Sequence, residues 1–106
     1  MDELSIPVTV RRMKGNPLEG EALLERTMRG GLVVALADSG MYWELSASYL
    51  NALAPFFASQ QRSLRIDLAA EAQEVILLFC YIAGDGTEKA VSVDLPREPG
   101  SIWGMG

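Results

Sequence analysis

A chain of 106 residues is long enough for one hydrophobic core and too short for two. Apolar residues make up 49% and charged residues 22%, the balance of a globular domain and not of a disordered one. With 14 acids against 9 bases the net charge is −5, which repels a nucleic-acid backbone and an anionic lipid surface and suits a basic protein partner.

The basic residues gather nowhere except at Arg11, Arg12 and Lys14, a group too small for a nucleic-acid footprint. The opening Met1-Asp2-Glu3 lacks the basic and apolar regions of a secretory leader, so the expected location is cytoplasmic. The longest apolar run, residues 75–83, is about half of the roughly 20 residues that a membrane helix needs, and no membrane partner is expected. Cys80, the single cysteine, lies inside that run; it excludes an intramolecular disulfide and reads as a small core hydrophobe.

In chain order, residues 6–13 are β-branched and contain Pro7, which cannot donate to a ladder, so a short edge strand is expected. Asn16, Pro17 and Glu19 fit an N-cap, a first-turn proline and an N3 carboxylate. With Leu18 and Ala22, then Leu24 and Met28, at i, i+4 spacing and Gly30-Gly31 as a stop, they predict a helix over 17–29. The apolar run 32–37 reads as a central strand buried on both faces. After Asp38-Ser39-Gly40, residues 41–45 either pair back as a hairpin arm or open the next helix. From Ser46, the stripe Leu50, Leu53, Ala54 and Phe57 predicts an amphipathic helix that Pro55 breaks near Ala54. Residues 64–68 alternate as a half-exposed strand. Residues 75–83 fit either a helix or a strand; composition favours a strand turning at Gly84-Asp85-Gly86 into the alternating run 90–95. Pro96 and Pro99-Gly100 end regular structure, giving a single domain over 1–96 and a C-terminal tail over 97–106.

The absence of histidine removes the commonest general base and the commonest transition-metal ligand. One cysteine cannot build a zinc site with no histidine beside it, and no activating histidine exists for a serine, cysteine or threonine nucleophile. No metal and no cofactor is therefore expected. Asp38, Glu44, Asp67 and Asp94 lie near expected strand ends and read as solvated charge. Gly84-Asp85-Gly86-Thr87 lacks the Lys-Ser/Thr of a phosphate loop and the alternate acids of a calcium loop, and reads as a hairpin turn.

Asp38-Ser39-Gly40, after a buried strand, resembles the phosphorylatable turn of STAS domains of the anti-sigma-factor antagonist type, with Gly40 where that family usually has a second serine. The resemblance implies an alternating α/β fold and a regulatory phospho-switch at Ser39. The residues themselves favour an α+β fold, with two helices packed on one face of a mixed, mainly antiparallel sheet of four to six strands. Large apolar side chains beside turns or tail, Met41, Tyr42, Trp43, Ile102 and Trp103, are the expected partner-binding residues. The leading functional expectation is a small, acidic, non-catalytic protein-binding module of the inhibitor, immunity or chaperone type, with homodimerisation through an uncovered sheet face. The alternatives are the STAS-like switch and a carboxylate-dependent or oligomer-built enzyme.

Overall fold

The computed structural model describes residues 3–11, 15–37, 39–71 and 73–96, Pro96 by its backbone. Four strands come first: β1 (Glu3–Arg11), β2 (Leu18–Arg26), β3 (Leu32–Leu36) and β4 (Tyr42–Leu45). Two short helices follow, α1 (Ser48–Ala52) and α2 (Ala54–Ala58), then a 3-10 turn at Gln61–Ser63. Three further strands complete the fold: β5 (Arg65–Ala70), β6 (Glu74–Ile82) and β7 (Glu88–Pro96). All seven strands join one sheet in the order β4-β3-β2-β1-β5-β6-β7. This is a larger sheet than the four to six strands expected from the sequence. Neighbours run antiparallel except β1 and β5, which are parallel and paired from Val8↔Ile66 to Arg11↔Ala69.

That parallel pair follows from the connection. A chain that ends one meander at β4 and begins the next beside β1 must cross four inter-strand spacings of about 4.8 Å each, so it passes over one face of the sheet. Residues 46–64 make this passage, and they carry Leu53, Phe56 and Leu64 into the core. Pro55 sits in the first turn of α2, and Leu53 stands between the helices at φ −90°, ψ 0°, so the expected break occurs there. Phe56 packs edge-to-face on Phe57, Phe79 and Tyr81, with ring centroids 5.1, 5.3 and 6.5 Å away.

Strand alternation supplies the rest of the core. Leu4, Ile6 and Val8 of β1, Ala22 and Leu24 of β2, Leu32 and Val34 of β3, and Val75, Leu77, Phe79 and Tyr81 of β6 are all buried on the inner face of the sheet. The sheet curls enough that residues of β1 through β6 line a single cavity.

Several expectations are corrected. Residues 17–29 are not a helix: β2 occupies Leu18–Arg26, and Met28 lies fully exposed in the following turn. The spacing misleads because an interval of four satisfies the strand period as well as the helical one, so Leu18, Ala22 and Leu24 also share a strand face. Gly30 and Gly31 close the β2–β3 hairpin and stop no helix; Gly30 has φ +87°, and the Gly31 amide donates to the Thr27 hydroxyl at 2.9 Å. β1 is interior, not an edge; Pro7 pairs with Glu21, and the ladder to β5 begins one residue later. β3 lies next to the sheet edge instead of at its centre, with Val33 and Ala35 only half-buried. The alternating architecture implied by the STAS resemblance is not adopted, since β1–β4 and β5–β7 follow one another as hairpins. Residues 41–45 are the hairpin arm, and 75–83 is strand through Ile82.

Two glycines give a contrast that tests this packing. A Cβ on Gly31 would collide with the Leu45 carbonyl oxygen, whereas Gly84 has open space around it and an unexceptional φ. Gly31→Ala is expected to lower unfolding free energy by about 1–3 kcal/mol. Gly84→Ala should leave it unchanged or raise it by up to about 1 kcal/mol, both read from urea denaturation midpoints.

Candidate functional site

The expected partner-binding segment is divided by the alternation of β4. Tyr42 and Glu44 pair with Ala35 and Val33 on the outer face of the sheet, while Trp43 and Leu45 pair with Val34 and Leu32 on the inner face. Met41 precedes the strand and lines the inner cavity with Trp43. Ile102 and Trp103 lie outside the described residues. The segment therefore contributes to two different surfaces.

The inner surface is a cavity of about 400 Å³ at the open end of the curled sheet. Its walls include Val8, Val10, Leu36, Met41, Trp43, Leu68 and Val75, and among the described residues no helical side chain reaches it. The helices lie at the other end of the strands, where Phe56 meets Phe79 and Tyr81, so one end is plugged and the other is not. Leu18 and Met41 stand half-exposed at this mouth. Trp43 is 4% exposed, and its indole N–H is buried without an acceptor among the described residues. Glu19 and Glu21 contribute to the rim, but their carboxylates accept hydrogen bonds from Thr9 (3.1 Å) and Ser5 (2.6 Å) on the outer face.

The outer surface over β1–β4 is acidic. Register places Glu44, Val33, Glu25 and Glu3 in one row across four strands, and Tyr42, Ala35, Leu23 and Ser5 in the next. Glu21 opposite Pro7 and Glu19 opposite Thr9 continue the pattern. An apolar row of half-buried side chains thus lies between carboxylates. Glu3 and Glu25 are directly opposed like charges, an arrangement that destabilises a sheet. The one basic residue facing outward on these strands is Arg11, which is drawn to Asp67 at 3.9 Å. Burial, and then the Glu44 carboxylate, raise the pKa of the Tyr42 phenol.

Ser39 is a turn residue here. Its hydroxyl donates to the Leu36 carbonyl at 3.2 Å and accepts the Met41 amide at 3.1 Å, closing the β3–β4 hairpin. The acids singled out by sequence do not converge: Asp38 is outside the described residues, Asp67 pairs with Arg65 at 3.1 Å, Glu44 sits four strands from Asp67, and Asp94 is exposed on β7. Among the described residues no group of three or more potential metal ligands comes together. Asp85 accepts the Thr87 amide at 2.9 Å in the β6–β7 hairpin, and hydrogen bonding from the Thr87 side chain, then from this amide, lowers its pKa.

Cys80 is not in the core. The inward set of β6 is Val75, Leu77, Phe79 and Tyr81, so Cys80 faces outward, half-buried opposite Arg65 and Ala90. Desolvation raises its thiol pKa, partly offset by Arg65.

Sequence reasoning missed Glu3, Glu19, Glu21 and Glu25 as members of one surface, because it placed 17–29 in a helix. The alternation Glu19-Gly20-Glu21-Ala22 was the available signal. No helix among the described residues is long and apolar enough to cross a membrane. A scan against protein-family models gives no match to this chain, and a search of curated proteins gives no significant relative.

The environment of Cys80 sets its reactivity. Alkylation by iodoacetamide at neutral pH is expected to be slower than for free cysteine, with the pH–rate profile displaced to higher pH. A rate equal to or above that of free cysteine would contradict the assignment.

Proposed function

We propose that this chain is a non-catalytic protein-binding module whose outer sheet face, over β1 to β4, takes a basic partner. The observation that carries the reading is the row of half-buried apolar side chains, Tyr42, Ala35 and Leu23, set between carboxylates of Glu3, Glu19, Glu21, Glu25 and Glu44. An apolar centre with a charged rim is the anatomy of a protein interface, and the sign of the rim selects the partner. Tyr42 is of the residue type that anchors such contacts. A partner segment presenting apolar side chains flanked by lysine or arginine would bury Leu23 and Tyr42 and neutralise carboxylates that now face one another. Binding of this kind suits a protein that inhibits, neutralises or chaperones a basic partner. The residue inventory supports the non-catalytic part of the reading, since histidine is absent and Glu44, Asp67 and Asp94 stand on strands β4, β5 and β7 without converging.

The test is affinity capture with the full chain as bait, compared with a Glu25→Lys/Glu44→Lys double variant. A basic protein should be retained at about 0.05 M salt and released at about 0.5 M. The double reversal should weaken its affinity at least tenfold while leaving the circular dichroism spectrum intact. A partner indifferent to both salt and the reversal would overturn the proposal.

A further inference from the structure

We propose that the mouth of the curled sheet is the docking site for the chain's own segment 97–106, entered by Ile102 and Trp103. The mouth is a different surface from the acidic outer face, and this inference does not depend on the partner proposed there.

The cavity needs an apolar occupant. Val8, Val10, Leu36, Met41, Leu68 and Val75 give it aliphatic and thioether walls, and the neighbouring carboxylates of Glu19 and Glu21 are engaged on the opposite face. A charged ligand would lose its hydration there with no opposite charge on the walls to replace it; the polar group without a partner among the described wall residues is the Trp43 indole N–H. Leu18 and Met41, 50% and 41% exposed, are two large apolar side chains left facing water at one place.

Connectivity ends the described chain beside this opening. The last residue of β7, Pro96, pairs with Glu74, and the next residue of β6, Val75, is part of the cavity wall. The chain therefore leaves the sheet at the edge of the mouth, at the end of the strands opposite the helices. From Pro96 to Trp103 is seven residues, an extended reach of roughly 23 Å. A cavity of about 400 Å³ whose wall begins at Val75 is within that reach. The chemistry also matches: Ile102, Trp103 and Met105 are the large apolar residues of the segment, and Ser101, Gly104 and Gly106 around them are small enough for a close turn.

The experiment uses the full chain labelled with 5-fluorotryptophan, whose two ¹⁹F resonances are assigned by Trp103→Phe. In the docked arrangement the Trp103 resonance shows little H₂O-to-D₂O solvent shift and is displaced from that of a free 97–106 peptide. Met41→Glu and Leu18→Glu, both at exposed positions, should each move it to the free-peptide position with a full solvent shift while leaving the circular dichroism spectrum unchanged. A Trp103 resonance that already coincides with the free peptide in the unsubstituted chain would overturn the proposal. Protection of Trp103 that survives both substitutions would place it elsewhere and overturn the assignment to the mouth. Protection that disappears on dilution over a hundredfold range would assign the occupant to a second copy and overturn the intrachain assignment.

Discussion

The passage of residues 46–64 over the concave face is the constraint on which the remainder of the structure depends. It brings β5 alongside β1, creating the single parallel pair in an otherwise antiparallel sheet. It also brings Phe56 against Phe79 and Tyr81, so the connection that the topology requires is the one that fills the core. Two five-residue helices have little stability of their own, and their contribution is the apolar surface they bury. Because the passage covers one end of the strands, the other end is left as a cavity bounded by Val10, Leu36, Met41 and Val75.

The two-residue period of the strands then decides what each surface can do. On β4 it sends Trp43 to the cavity and Tyr42 and Glu44 to the outer face, and on β2 it sends Ala22 and Leu24 inward and Glu19, Glu21 and Glu25 outward. Aligning these strands brings carboxylates into one field, and the one basic residue facing outward on them, Arg11, is drawn to Asp67. A sheet selected for stability alone would place lysine or arginine across from Glu25; here its cross-strand neighbours are Glu3 and Val33.

Much of the fold was legible in the sequence. The apolar run bounded by glycine and the Asp38-Ser39-Gly40 turn marks β3, with the hairpin to β4 as one of the two readings left open for 41–45, and Pro55 marks the division between α1 and α2. The alternation of residues 90–95 marks β7. What the sequence obscures has particular causes. β2 hides behind an interval of four that serves both a helix and a strand. β1 contains a proline that points to an edge, yet the proline lies just outside the ladder to β5, so an interior position costs no hydrogen bond in that ladder. Cys80 sits in an unbroken apolar run, and only the phase of β6, set by Phe79 against Phe56, turns it outward. The segment 41–43 was singled out by its large apolar side chains, but its division between two faces required the register. The acidic face was signalled only by the alternation Glu19-Gly20-Glu21-Ala22, because Glu3, Glu25 and Glu44 are far apart in sequence; β1–β2 pairing sets Glu3 against Glu25, and β3 joins Glu44 to their row.

The claim that these carboxylates form an unbalanced face is tested most directly by the salt dependence of folding stability in Glu25→Gln. Removing one of the opposed charges with little change of shape should raise the unfolding free energy by a few tenths to about 1 kcal/mol at low salt, with the gain fading as salt screens the repulsion. A variant that is less stable than the parent at low salt, or whose difference does not change with salt, would show that Glu25 is already balanced within the chain and would contradict the account.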